Sequence, residues 1–150
     1  MGNAEEVSLT PAMLGGGLAA AAGGGIWGLI VIATGYVIGI MAWGIGLLAG
    51  CAVVFFSRGQ KGTPLQVIAV LSSVLGIAIG KYVTFFHFLK KAITERYGLE
   101  VASKVSLFSG RVVQAFIEGI GSMVSDADIL WVILAVTTAW SVPKMLWTKD

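Results

Sequence analysis

The chain has 150 residues, of which 57% are apolar and only 12% are charged. In soluble domains about a quarter of the residues are charged, so this composition excludes an ordinary soluble domain and predicts a membrane protein. The formal net charge of +2 is too small to indicate a nucleic-acid surface. The single Cys cannot form an internal disulfide, and the single His cannot complete a metal site.

The first half of the chain contains one long uncharged segment. No formally charged residue occurs between Glu6 and Arg58. As a single helix, the apolar part of this segment would be about 65 Å long, whereas the hydrocarbon core of a bilayer is about 30 Å thick. We therefore predict two spans, at about 13–33 and 36–56. The chain is expected to reverse at Thr34-Gly35-Tyr36, because Gly permits the turn and Tyr favours the interface.

Two further apolar segments predict a third and a fourth span. The third, at about 65–88, carries Lys81 near its end, where a long side chain can extend to the lipid head groups. The fourth, at about 128–147, has Trp131 and Trp147 near its two ends, the usual position of interfacial tryptophan. The prediction is an all-α polytopic membrane protein with four transmembrane helices, and the whole chain forms a single membrane domain.

The residues between the third and fourth spans, about 89–126, carry half of the formal charges of the chain. Their apolar residues recur every three or four positions, which predicts one face of a helix, and charged residues occupy the other face. Gly98 and Gly110 are expected to break this helix into pieces, and Ser125 or Asp126 can cap the span that follows. We interpret the segment as an amphipathic element at the membrane interface or over the bundle. The alternative is a pair of helices that docks on a partner.

Glycine is about twice as frequent as in an average protein, with 21 residues, and much of it is spaced by four positions. Helices in lipid associate through close packing rather than through exclusion of water, and small residues permit the close approach. We expect these stripes mainly to join the helices of one chain. Self-association and docking on another membrane subunit are the alternatives. The predicted helix-packing residues are Gly24, Gly28, Gly35, Gly39, Gly46, Gly50, Gly76 and Gly80.

The sequence offers little support for catalysis, and we expect the protein not to be an enzyme. A nucleophile would have to use His87 as its base, because the chain has no other His. His87 lies in an aromatic stretch, where a contact at the interface is the main interpretation and a haem or quinone contact is the alternative. No cofactor and no metal site are predicted. The expected contacts with lipid or the interface are Lys81, His87, Trp131 and Trp147.

Several short motifs together resemble one family. They are Gly25-Ile26-Trp27-Gly28-Leu29-Ile30, Thr34-Gly35-Tyr36-Val37-Ile38-Gly39, Ala42-Trp43-Gly44-Ile45-Gly46, Gly80-Lys81-Tyr82, Asp128-Ile129-Leu130-Trp131, Leu134–Trp140 and Pro143. They are similar to an uncharacterised family of small bacterial four-helix integral membrane proteins. The resemblance covers most of residues 24–82 and the C-terminal stretch, but not the amphipathic middle. Where relatives often have an acidic residue after the Thr-Gly-Tyr turn, this chain has Val37.

The orientation of the chain follows from this resemblance and not from its charge. Apart from Lys81, which lies in a predicted span, the positively charged residues divide four to five between the two sides of the membrane, so their distribution does not indicate an orientation. Relatives often carry a zinc-ribbon-like module before the first span, which implies a cytoplasmic N-terminus. Four spans then place both termini in the cytoplasm, and the resemblance implies the inner membrane of a bacterium.

The function we expect is that of a non-catalytic structural or accessory subunit of a membrane assembly. Its partners would be membrane lipids and either another membrane protein or a second copy of the chain, with no nucleic acid. The alternative is a small homo-oligomeric channel or transporter-like protein. A substrate-coupled transporter usually has ion carriers near the midplane and an internal repeat, whereas Lys81 is the only formal charge within reach of the hydrocarbon here.

Overall fold

The computed structural model describes residues 9–36, 39–58, 60 and 62–146. This part of the chain is helical and contains no strand. Its helices are α1, Leu9–Thr34; α2, Ile40–Phe56; α3, Thr63–Tyr97; α4, Leu99–Ser103; α5, Gly110–Met123; and α6, Asp126–Leu146. The prediction of an all-α chain is confirmed.

Three of the described helices are long and apolar enough to cross a membrane. α1 has 26 residues, α3 has 35 and α6 has 21. α2 is also apolar but has only 17 residues, close to the lower limit of about 17 for a crossing. These helices indicate a membrane-embedded protein.

The third helix extends beyond the predicted span. It continues past Phe88 to Tyr97, about 14 Å further along its axis. The added residues include neither Gly nor Pro, and the helix ends at Gly98, whose φ of 87° a glycine adopts without strain. The predicted segment 89–126 is therefore divided between the end of α3, the short α4 and α5, so its apolar residues do not form one continuous helical face.

The four long helices form a bundle that contains two parallel pairs. α1 runs parallel to α3, because their contacts advance together along both helices, from Gly16 against Ser72 to Gly28 against Val83. α2 runs parallel to α6 in the same way. α2 and α3 lie at the centre of the bundle and contact each other, and within the described residues no close contact joins α1 to α6.

Most of the predicted helix-packing glycines lie at the contacts within these two pairs. A Cβ atom at Gly24 would overlap the carbonyl oxygen of Gly76, and one at Gly46 would overlap the carbonyl oxygen of Ala135. A Cβ atom at Gly76 would lie 3.2 Å from the Cα of Ala20. The paired backbones therefore meet directly, at a separation that larger residues would prevent. The other predicted glycines that contact a neighbouring helix are Gly28, Gly39, Gly50 and Gly80.

Gly35 has a different role from the packing role that was predicted. No atom of the described residues lies within 4 Å of a Cβ placed there, and its φ is 71°. Its N–H donates to the carbonyl of Val31 at 2.8 Å, immediately after the last residue of α1. Gly35 thus ends the helix with the left-handed conformation that glycine favours, and its Cβ position faces no other helix of the described part of the chain.

The side chains of the bundle are distributed by size. Leu14, Leu18 and Leu29 of α1 are 62%, 62% and 64% exposed. A protein in water buries residues of this kind. In hydrocarbon there is little gain from burying them, and the interior is left to small residues that allow close packing. The buried residues of α1 are indeed mostly small: Ala12, Gly15, Gly16, Ala19, Ala20, Gly24, Trp27, Gly28 and Val31.

Two adjacent glycines provide a matched test of the contact between α1 and α3. Gly24→Ala places a methyl group against the carbonyl of Gly76 and should lower the free energy of unfolding by about 1–3 kcal/mol. Gly25→Ala enters open space and should be neutral or slightly stabilising, because Ala favours a helix. Thermal unfolding of both variants in mild detergent measures the difference. Equal stabilities would contradict this contact.

Candidate functional site

Lys81 of α3 and Asp128 of α6 form an ion pair at one end of the bundle. Nζ and Oδ2 are 3.1 Å apart, and the two side chains are only 16% and 15% exposed. This is the end at which α1 stops and α2 and α6 begin. A charged group that is partly removed from water raises the free energy of the folded state unless it has a partner of opposite charge. Here Lys81 and Asp128 are each other's partner.

The start of α6 holds Asp128 in place. The N–H and the hydroxyl of Ser125 both donate to Asp128 Oδ2, each at 3.0 Å. In return, the Asp128 N–H donates to the Ser125 hydroxyl at 3.2 Å. This reciprocal capping shows that Ser125, one of the two residues named as candidate caps, caps the helix. Because the carboxylate is tied to the backbone, its distance from Lys81 depends on how α3 packs against α6.

The sequence predicts that Lys81 lies near the head groups, but it does not identify the carboxylate partner of Lys81. A signal was present, because four spans would place the end of the third span and the start of the fourth on the same side. Asp126 and Asp128 are the carboxylates at that start. The pattern does not distinguish them, whereas the structure pairs Lys81 with Asp128 and leaves Asp126 exposed.

Lys81 and Met123 each line two neighbouring pockets. The first pocket has a volume of about 360 Å³ and is mainly apolar. Its other lining residues are Trp27, Thr84, Phe85, Phe88 and Leu89. The second pocket has a volume of about 330 Å³ and lies at the starts of α2 and α6. Its other lining residues are Gly39, Ser125, Ala127, Asp128 and Trp131.

Trp27 of α1 forms part of the apolar pocket and also of the bundle core. It is 2% exposed and packs with Val31 and Ile45, and its ring lies against Gly80 of α3. The buried indole N–H has no hydrogen-bond acceptor among the described residues. Because a buried donor without an acceptor costs about 1–3 kcal/mol, an acceptor from outside the chain would stabilise this position.

α5 packs over this end of α3 through Phe116. The ring centre of Phe116 lies 5.1 Å from that of Tyr82, in an edge-to-face arrangement, and 5.5 Å from that of Phe85. The Tyr82 hydroxyl donates to the carbonyl of Leu107, ahead of α5. Phe85 also lines the apolar pocket, so α5 supports one wall of that pocket.

The structure brings some of the predicted contact residues together and separates others. Lys81 and Trp131 meet at the second pocket, where Trp131 packs against Gly39. His87 lines neither pocket and lies beside Phe88, with ring centres 5.6 Å apart. Trp147 lies outside the described residues.

Comparisons of the chain with family models, with curated proteins and with solved structures found no match. The family resemblance of its motifs therefore stays a prediction.

The ion pair can be tested with a double-mutant cycle. Asp128→Asn leaves Lys81 partly buried without its counter-charge, and Lys81→Met leaves Asp128 in the same condition. Each change should lower the free energy of unfolding by about 1–3 kcal/mol. The double variant should lose less than the sum, with a coupling free energy of about 0.5–3 kcal/mol. Thermal unfolding of the four proteins measures this coupling, and strictly additive losses would show that the pair contributes nothing.

Proposed function

We propose that this protein is a non-catalytic integral membrane subunit that packs against another membrane protein along the outer face of α1. One observation carries the proposal. Gly17, Ala21 and Gly25 follow one another at intervals of four, and among the described residues no atom of a neighbouring helix lies within 4 Å of a Cβ placed at either glycine. Ala21 is exposed, and Gly17 and Gly25 are half-buried. We call these three residues the open row.

The open row differs from the small-residue rows that the bundle uses internally. Gly24 lies against α3 and Gly46 lies against α6, whereas no atom of another described helix lies within 4 Å of a Cβ at Gly25, and Gly17 lines a pocket beside α3 without packing against it. A row of small residues gains little from contact with lipid, but it allows the backbone of another helix to approach closely. Leu18 and Leu29 are 62% and 64% exposed on the same helix and could pack around an incoming helix.

The proposal includes four spans, with α2 as the second. Contacts between α2 and α6 extend from Gly39 against Trp131 to Gly50 against Val142. α2 therefore lies alongside most of α6, which is long and apolar enough to cross a membrane. The indole N–H of Trp43 in α2 also donates to the hydroxyl of Thr138 in α6 at 2.9 Å. The 17 residues of α2 extend about 26 Å, close to the thickness of the hydrocarbon core.

We further propose that α5 lies in the membrane interface. Val112 and Phe116 on one side of the helix are buried in the protein. Apolar side chains on the adjoining side are 38%, 64% and 38% exposed, and they are Val113, Ile117 and Ile120. Polar and charged side chains lie on the opposite side, and they are Arg111, Gln114 and Glu118. A helix divided in this way can place its apolar side among acyl chains and its charged side in water.

Polar groups within the bundle support a structural role. The Gln66 side chain is only 8% exposed and donates from Nε2 to the carbonyl of Trp140 at 2.9 Å. Pro143 has no N–H, so the backbone hydrogen bonds of α6 are interrupted in the turn that precedes it. A donor from a neighbouring helix, here Gln66, can bond a carbonyl of that turn. This bond and that from Trp43 to Thr138 connect α6 to α3 and α2.

A substitution at Gly25 tests the open row. Gly25→Leu fills the row without meeting another helix of the chain, so the fold should be kept while the partner is lost. Gly44→Leu on α2 is the matched control, because its Cβ position is also open. After cross-linking in the membrane and purification in mild detergent, a larger partner should accompany the wild type and Gly44→Leu. Its recovery with Gly25→Leu should fall about tenfold, a loss of about 1.4 kcal/mol.

The identity of the recovered partner distinguishes the two proposed functions. A stoichiometric larger protein supports the accessory subunit. A second copy of the chain, with ion flux in liposomes, would favour the small homo-oligomeric channel or transporter-like protein instead. Unchanged recovery with Gly25→Leu would contradict any contact along the open row.

We propose the bacterial inner membrane as the location, with both termini in the cytoplasm, as the family resemblance implies. Gln60, between α2 and α3, then faces the cytoplasm, and Lys104, whose side chain is 75% exposed, faces outward. In a Cys51→Ala background, Lys104→Cys should react with a membrane-impermeant maleimide in intact cells, and Gln60→Cys only after lysis. Labelling of position 60 from outside would reverse the proposed orientation.

A further inference from the structure

We propose that the end of the bundle around Lys81 binds one anionic phospholipid. The phosphodiester would lie at Lys81, and one acyl chain would lie in the apolar pocket. This site requires the membrane location proposed above, but it does not depend on a partner at the open row.

The shape of the site fits an amphiphile. The two pockets have volumes of about 360 and 330 Å³, within the usual range for small-molecule sites, and they share Lys81 and Met123. Phe85, Phe88 and Leu89 make the first pocket apolar, whereas the second lies at two helix starts. A molecule that fills both pockets has an apolar part and a polar part that meet at the level of Lys81, as a phospholipid does.

The charges around the second pocket favour a ligand with one negative charge. Lys81 and Asp128 cancel formally. α2 and α6 are parallel and both begin at this pocket, as Gly39 and Ala127 in its lining show. Each helix start contributes about half a positive charge, so about one positive charge is left for a ligand. Asp126 lines neither pocket and is exposed to solvent, which screens its charge.

Hydrogen-bond donors are also left for such a ligand. The ammonium group of Lys81 has three protons, and its pairing with Asp128 Oδ2 uses one of them. Trp27 lines the apolar pocket, and its indole N–H is buried without an acceptor among the described residues. The ester carbonyl at the head of an acyl chain is an acceptor of the required kind. The unpaired donor thus favours a lipid with an ester group over plain hydrocarbon in this pocket.

The lipid would also connect α5 to the bundle. Met123 is the last residue of α5 and lines both pockets. Phe116 of the same helix packs on Phe85, which lines the apolar pocket. A bound acyl chain would therefore fill the space between α3 and the end of α5.

Native mass spectrometry of the full chain in detergent tests the site. The protein is titrated with phosphatidylglycerol, phosphatidylcholine or inorganic phosphate. We expect one bound phosphatidylglycerol per chain, and about tenfold weaker binding of the other two, equivalent to about 1.4 kcal/mol. Lys81→Met should weaken the binding of phosphatidylglycerol about tenfold. Lys91→Met, on the same helix but outside both pockets, should change it less than about twofold.

Asp128→Asn separates lipid binding from a purely structural role of the ion pair. It removes the carboxylate that competes with the phosphodiester for Lys81, so it should tighten the binding of phosphatidylglycerol even though it destabilises the lipid-free fold. Weaker binding by Asp128→Asn, unchanged binding by Lys81→Met, or equal binding of the two lipids would overturn the proposal. Equal binding of inorganic phosphate would overturn the role of the acyl chain. None of these results alters recovery of a partner at the open row.

Discussion

Direct contact between helix backbones is the constraint on which the rest of this structure depends. Gly24 meets the carbonyl of Gly76 in the pair α1 and α3, and Gly46 meets the carbonyl of Ala135 in the pair α2 and α6. Helices whose backbones touch have a fixed register, because large side chains such as Trp27 and Val83 fit only where a glycine lies opposite, at Gly80 and Gly28. Each contact therefore sets how far one helix is displaced along the other. Both pairs are parallel, so each joins helices that are not consecutive in the chain.

The position of the ion pair follows from these displacements. The contacts of α1 with α3 set the depth of Lys81, which follows the packed residue Gly80. The contacts of α2 with α6 set the depth of Asp128, whose carboxylate is tied to the helix start by Ser125. The two charges meet because α2 and α3 join the pairs at the centre of the bundle. The ion pair therefore lies at the end of the bundle, where the free energy needed to keep charges in the membrane is lower than at its centre.

The sequence predicts the faces of these helices better than it predicts their partners. A spacing of four marks a side of a helix, which is why Gly24, Gly46 and Gly76 could be identified as packing positions. The spacing does not indicate which helix lies opposite. It also groups Gly35 with Gly39, although these two residues lie on either side of the turn between α1 and α2. Hydropathy also placed the end of the third span near Phe88, because the apolar residues become sparse there. Helices end where the backbone hydrogen-bond ladder ends, however, and nothing interrupts it before Gly98. The pairing of Lys81 with Asp128 required the three-dimensional arrangement of α3 and α6.

The two surfaces that the internal contacts leave unfilled can be used at the same time. The open row, Gly17, Ala21 and Gly25, is not packed against another described helix, and Gly17 lines a pocket beside α3, whereas Trp27 faces inward toward Gly80. A helix packed on the open row would therefore not cover the pocket around Lys81. A lipid in that pocket would contact Trp27 of α1 as well as α3 and α5, so it would hold the amphipathic end of the protein against the bundle while α1 carries the partner. Binding at the two sites would be energetically coupled through α1 itself and through its contact with α3. Because Trp27 is fixed against Gly80 and the two helices meet through rigid backbone, we expect little change in either affinity when the other site is filled.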